Sequence, residues 1–399
     1  MSYRGLRARR PSELPSAEAV RRAEKARLAV YITVCALPAL LTGLYYALRL
    51  FPGVMEWAST RVAAPIRGAL GFASQIYPLS LMEILVAAAA VWVIFYIARS
   101  IMVTARRRGK LKILAKRLLT LVVVALYAWG LFCWLWNVGY YAPGFAEKNG
   151  IVSGGVAAAD LAAVTALFAR NANEFAPLVK RDADGHFIED RANFFDESTS
   201  IYESMFVEFP CLSGRLYKPK SMLFSWLMSR TGYTGVYFAL TGESNVNTNA
   251  PLALMPSTVA HELAHQRGVY AEDEANFVGV AACLSSGNPV FEYSGWLMGL
   301  IYLCNALSYA DYDAWVEITG GLSGEVRRDW EDNNIYWASQ RTVDTGIAFL
   351  DRLLTSTTGA VSDAVDSIYD TYLRAQNQEL GLRSYGACVD LLVEYYKES

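Results

Sequence analysis

The sequence predicts a membrane protein in two parts: three N-terminal transmembrane α-helices, then a mainly α-helical (α+β) domain outside the membrane. Three observations predict this. The chain of 399 residues is 54% hydrophobic with a mean hydropathy of +0.21, and its apolar residues gather in three early runs. The net charge of −2 divides unevenly: residues 1–117 hold 19 Lys+Arg against 5 acids, and the remainder holds 17 against 33. From residue 257 onward the apolar pattern is helical. The charge division excludes a nucleic-acid-binding protein with one basic face and argues against a single soluble globule.

The runs are Leu28–Leu48, 21 residues without a charge, Leu79–Ala98, 20 residues with only Glu83, and Leu118–Trp136, 19 residues with none. Each approaches the ~20 residues a helix needs to cross a ~30 Å hydrocarbon core. With their flanks they form an anchor over residues 28–139, with spans at 28–50, 79–98 and 118–137. Tyr45, Tyr46, Tyr77, Tyr96, Trp134, Trp136, Tyr140 and Tyr141 lie near run ends, as an aromatic belt does. Residues 1–27 carry eight Lys+Arg and the loop 99–117 carries eight with no acid, whereas the loop 49–78 carries only Arg49, Arg61 and Arg67. The positive-inside rule then puts the basic N-terminus and the 99–117 loop in the cytoplasm and residues 140–399 outside. The first run lacks a small-residue cleavage site and reads as an anchor. The partner this implies is the lipid bilayer. Glu83 lies close to the outer boundary of its span and reads as reaching the interface.

In the outer portion, 157–170 reads as an amphipathic helix and 182–190 as a polar loop. Residues 234–249 read as a strand dissolving into a loop, with 235–240 a candidate edge strand; an ordinary core strand reads equally well. Helices are expected over 257–267, 272–285, 290–309, 325–356, 361–375 and 386–397, with Ser257 or Thr258 as the first N-cap. The 290–309 run reads as a core or membrane-apposed helix and not a fourth span. Cys211, Cys283, Cys304 and Cys388 match no zinc-ribbon or CxxC spacing and read as buried free thiols.

The chemistry-bearing motif is His261-Glu262-Leu263-Ala264-His265. On a helix, positions i and i+4 share a face, so both imidazoles reach one metal ion, and Glu262 beside them is the catalytic general base for an activated water. The chain holds only one other histidine, His186, 75 residues upstream in a polar loop. A third ligand should therefore be a carboxylate from Glu272-Asp273-Glu274. Gly268 ends the first helix and lets a second run back beside it. On that helix Glu272, Asn276, Gly279 and Cys283 form one stripe. This favours Glu272 as the third ligand with Glu274 as the alternative. Asn276 then hydrogen-bonds a metal-bound His, and Gly279 permits close approach.

These residues resemble the zincin metalloproteases, specifically the gluzincin branch. The ExxAN of Glu272–Asn276 looks like the ExxAD/ExxAN element of membrane-embedded and anti-repressor zinc proteases, in which the leading Glu is the third ligand and the following Asp or Asn supports it. The longer string, from TGESNVN at 241–247 through HELAHQRG to EDEANF, resembles a bacterial family of membrane-anchored domains of unknown function. Those share a layout of about three N-terminal spans and a zincin-like C-terminal domain. Arg383-Ser384-Tyr385-Gly386 is similar to that family's C-terminal signature. Only six residues separate His265 from Glu272, far fewer than in thermolysin-like enzymes, which leaves Glu272 and Glu274 both open. The resemblance implies Zn²⁺ and a multi-pass protein of the bacterial cytoplasmic membrane. It implies a metallopeptidase that hydrolyses peptide or protein substrates outside that membrane; the alternative is a non-catalytic zinc-binding envelope module. The transition state also needs an oxyanion donor. Tyr385 is the candidate catalytic residue for this, with Arg383 beside it and Tyr336 and Tyr369 as rivals.

Overall fold

The structure is a computed structural model, and it describes residues 17–106, 110–151, 154–342, 348–376, 378 and 385–398. Helix α1 spans Ala17–Leu48. After a short turn come α2 (Pro52–Ala58), a π-helical turn (Ser59–Ala63) and α3 (Ala64–Ser74). Then α4 (Leu81–Arg106) and α5 (Lys110–Leu135) follow. Within these, Arg21–Leu48, Leu81–Arg106 and Lys110–Leu135 are long and apolar enough to cross a membrane. Their flanks keep large apolar side chains such as Val91, Ile94 and Leu131 uncovered, as lipid-facing helices do.

Two expectations about the linking segments are corrected. The basic stretch 99–117 is helix on both sides of 107–109, which lie outside the described residues. Lys and Arg are good helix formers, so a basic stretch continues the helices on either side of it. The 49–78 segment is not a plain loop but α2, the π turn and α3, with Pro52 and Pro65 each in a first helical turn. Its residues Arg67 and Ser74 are buried against the C-terminal domain.

A 3₁₀ turn at Asn137–Tyr141 leads from α5 to α6 (Phe145–Asn149), α7 (Ala158–Phe175), α8 (Arg191–Glu197), β1 (Lys220–Ser221) and α9 (Ser225–Arg230). Next are β2 (Gly235–Phe238), β3 (Glu243–Val246), α10 (Met255–Gln266), α11 (Glu272–Leu284) and α12 (Pro289–Ala310). The chain ends with α13 (Tyr312–Gly320), α14 (Gly324–Gln340), α15 (Ala348–Ala375) and α16 (Tyr385–Tyr396). The core is helical. Helix α12 packs on α7, α11 and α16, and its Leu297, Leu300, Leu303, Cys304 and Leu307 are fully buried, so it is a core helix. All six cysteines are free; Cys133, Cys283, Cys304 and Cys388 are buried, but Cys211 is exposed, contrary to expectation.

After α12 the helix boundaries differ in three places. Helix α13 was not expected. Helix α14 stops at Gln340 where the sequence reading ran to 356, and α15 runs through the anticipated break near 357–360. Gly359 has open space around it, so its cost of ~1 kcal/mol relative to Ala does not break the helix.

The sheet has order β1-β3-β2, with β1 parallel and β2 antiparallel to β3. Residues 243–246, expected as loop, are a fully buried strand. Its polar side chains find distant partners: Glu243 pairs with Lys220 at 2.9 Å, the Ser244 hydroxyl donates to the Glu262 carbonyl at 2.8 Å, and Asn245 Nδ2 donates to Val236 O at 3.4 Å, with Asn245 Oδ1 left without a partner among the described residues. A polar sequence becomes a core strand when distant partners satisfy it. The turn before it needs Gly242, at φ 68°, since a Cβ there would lie 2.4 Å from Arg67 O and Gly71 N.

Candidate metal centre

Helix α10 starts at Met255, earlier than expected, because Pro256 suits a first helical turn. Ser257 and Thr258 therefore sit inside it and are not its N-cap. The Ser257 N–H donates to Ser294 Oγ at 3.0 Å, and the Thr258 hydroxyl donates to the Leu254 carbonyl at 3.3 Å. Gly268, at φ 85°, ends the helix as expected. The Gly268 N–H donates to His265 O and the Val269 N–H to Ala264 O, both at 3.1 Å. The reversal brings α11 back along α10. Contact is closest at Gly279, where a Cβ would lie 2.9 Å from His261 N and 3.0 Å from its Cα.

This packing brings His261, His265 and Glu272 together, their potential ligand atoms all within 4.8 Å of one another. Glu272 Oε2 lies 3.3 Å from His261 Nε2 and 3.7 Å from His265 Nε2. Tetrahedral zinc with bonds of about 2.0–2.2 Å holds its donor atoms about 3.3–3.6 Å apart, so the donor set fits such an ion with little movement. His265 Nδ1 lies 2.7 Å from the Val269 carbonyl, which only accepts. The proton therefore belongs on Nδ1 and leaves Nε2 to face a ligand. That carbonyl is supplied by the turn that Gly268 makes.

Electrostatics mark the same cluster. Burial disfavours a charged Glu272, yet His265 and His261 overrule it and hold its carboxyl well below the usual range. Burial likewise opposes a charged His265, and Glu272 beside it nevertheless raises the ring to about 9. Glu262 is buried behind the imidazoles; burial raises it to about 7, against the pull of His261 and His265. Its Oε2 and His261 Nδ1 have no hydrogen-bond partner among the described residues. A buried, unpaired carboxylate oxygen beside two imidazoles is costly unless something further occupies the site. Strand β2 is an edge of the sheet and lies beside Glu262, and a Cβ on Gly235 would come within 2.5 Å of Glu262 Oε1.

The other expected residues are placed as follows. Glu274 is away from the cluster: its two oxygens accept the N–H groups of Phe145 (2.8 Å) and Ala146 (2.9 Å) and cap α6. Asn276 makes no hydrogen bond to either imidazole among the described residues. Its Oδ1 accepts from the Tyr302 hydroxyl at 3.2 Å, because this face of α11 meets α12. Tyr369 reaches the site from α15, its hydroxyl donating to Glu272 Oε1 at 2.7 Å. The Tyr336 hydroxyl instead meets Ser229 Oγ at 2.5 Å. Arg383 and the side chain of Tyr385 lie outside the described residues.

The floor of the site comes from residues the motif does not announce. Trp136, the first residue after α5, sets its ring edge-on to His265 at 5.5 Å and packs on Tyr270 at 4.8 Å. Arg67 donates to Leu135 O at 2.9 Å and to the Tyr270 hydroxyl at 2.6 Å, and Ser59 in the π turn meets that hydroxyl at 3.0 Å. The aromatic density at 134–141 and a lone arginine in an apolar stretch were the available signals. An aromatic belt and a topology charge account for both equally well in sequence.

Three long apolar helices joined to an HExxH helix whose imidazoles converge on a carboxylate define a membrane-associated protein with a candidate metal centre. The chain belongs to the DUF3810 family, described as protein of unknown function, whose model matches residues 59–393. That match takes in the second and third apolar helices and the whole metal cluster. No curated protein and no solved structure matches the chain.

Proposed function

We propose that the protein is a membrane-anchored zinc metallopeptidase of the gluzincin kind, multi-pass in the bacterial cytoplasmic membrane, with its N-terminus inside and its catalytic domain outside. The observation that carries this reading is the convergence of His261, His265 and Glu272 beside buried Glu262, whose Oε2 has no partner among the described residues. His261, His265 and Glu272 would hold Zn²⁺, which would supply Lewis-acid activation of water and of the scissile carbonyl. Glu262 Oε2 would take the proton of the attacking water and return it to the leaving amine. Tyr369 fixes the Glu272 carboxylate by holding Oε1 so that Oε2 faces the imidazoles. Strand β2 offers its free edge to an extended substrate backbone.

The test is a paired measurement on the full chain in detergent. Wild type should bind about one zinc per chain and cut unstructured peptides. Glu262→Gln should keep the zinc and lose activity by about 10²–10⁴-fold. An undiminished Glu262→Gln protein overturns the mechanism. A zinc-loaded wild type with no hydrolysis of any peptide pool supports the non-catalytic alternative.

A further inference from the structure

We infer that the site takes a substrate anchored in the same bilayer and cuts it within a few residues of where that anchor leaves the membrane. The inference rests on the peptidase reading and on the apolar helices being spans. It follows from the height at which the site is held.

Three attachments set that height. The first is at the end of α5. Trp136 directly follows the last helical residue, and its ring touches His265, so one aromatic ring separates a proposed zinc ligand from the end of a span. Arg67 ties the same end, through Leu135 O, to Tyr270 in the turn after the motif helix. The second is at the start of α4. Glu243 accepts the N–H groups of Leu81 (3.2 Å) and Met82 (2.9 Å), and Lys220, paired to it, donates to the carbonyls of Ser74, Tyr77 and Leu79. Glu243 begins the strand that pairs with β2, so the edge beside Glu262 is tied to the mouth of the second span.

The third attachment shows which face meets the bilayer. Glu83, inside the first turn of α4, accepts the N–H groups of Leu223 and Phe224, both at 2.8 Å. That pins the segment leading into α9 to the depth of a residue within the span. Leu223, Phe224, Trp226 and Leu227 are 58%, 46%, 58% and 47% exposed. Such a cluster of large apolar side chains is out of place facing water, and beside Glu83 its occupant is the outer leaflet. The domain thus sits down on the membrane on the side where spans and metal cluster meet.

The headgroup layer adds about 5–8 Å to each side of the hydrocarbon core. A site one ring beyond the end of α5 lies at or just above that layer. Edge pairing needs an extended stretch of about four to six residues, or roughly 13–20 Å of chain. The segment of an anchored protein just outside its own span is already at that height, and sharing a bilayer raises its effective concentration. A loop on a freely diffusing globule has to reach down to the headgroups.

The experiment uses the full chain reconstituted in liposomes with a library of unstructured 30-residue segments. One library is fused after a single transmembrane helix and co-reconstituted; the other is the same segments as free peptides. Mass spectrometry reads the cut positions. Cuts in the anchored library should cluster within about ten residues of the membrane and form at least tenfold faster than in free peptides. Equal rates, or cuts spread evenly along the segment, overturn this inference and leave the peptidase reading standing. Cleavage of neither library by the zinc-loaded protein overturns both. A second readout is independent of activity: photoactivatable lipid should label the peptide containing residues 223–227 as well as the three spans. Labelling confined to the spans also overturns the inference.

Discussion

At the residue scale, the His265–Glu272 pair makes the candidate site responsive to protons. In the metal-free protein His265 is raised to about 9 from 6.5, and Glu272 is held well below 4.5. A raised His contributes stability in full below its unfolded value and loses it as pH rises through its folded value. A depressed Glu contributes in full above its unfolded value and loses it as pH falls. The pair therefore contributes fully between about 4.5 and 6.5, fades toward 9, and fades again in acid. Zinc competes with the proton on His265, so binding at pH 7.5 should release about one proton. Calorimetry in buffers of different ionisation enthalpy measures that number; a heat independent of buffer would contradict the pairing. Gly279 is equally specific in its demand. A Cβ there meets backbone atoms of His261 that cannot swing aside, so Gly279→Ala should push α11 from α10 and cost about 1–3 kcal/mol. Denaturant unfolding reads the loss, and zinc affinity should fall with it because Glu272 rides on α11.

At the scale of elements, the motif helix was readable because everything defining it is local. The i, i+4 histidines, the ending glycine and the returning acidic helix lie within 261–284. Strand β3 was not readable. Glu-Ser-Asn-Val has the composition of a loop and becomes a strand only because Lys220, β2 and the α10 backbone supply its partners. Helix α15 was misdivided because Thr-Thr-Gly resembles a break. The continuous helix leads to a simple prediction. Gly359→Ala, whose new methyl meets nothing within 4 Å, should stabilise the protein by about 0.5–1 kcal/mol. A loss of stability would mean the chain bends there.

At the scale of the whole molecule, the apolar helices and the candidate site are tied together. Lys220 and Glu243 are almost fully buried and pin the start of α4 to the sheet. Removing one partner leaves the other charge buried and unpaired, so Lys220→Met should cost about 3–5 kcal/mol, read as loss of folded protein on heating in detergent. Lys220→Met with Glu243→Gln should recover much of that stability, because the stranded charge is gone. The exposed apolar side chains Leu223, Phe224, Trp226 and Leu227 belong to this scale too, since Glu83 of α4 holds their segment through the Leu223 and Phe224 amides.

The sequence by itself determined what periodicity and short spacing encode: three apolar runs, the division of charge, the HExxH helix, its glycine stop and the returning acidic helix. It left Glu272 and Glu274 both open, because both lie on the same first turn and only their surroundings differ. The tertiary structure places Glu272 beside the two imidazoles and gives the Glu274 oxygens the Phe145 and Ala146 amides. It also decided that Asn276 faces Tyr302 and that Trp136, Arg67 and Tyr270 form the floor of the site. Arg67 and Tyr270 are 203 residues apart, and Tyr369 and Glu272 are 97 apart. Contacts at such separations leave no periodic trace in a single sequence, because packing and not local propensity selects them.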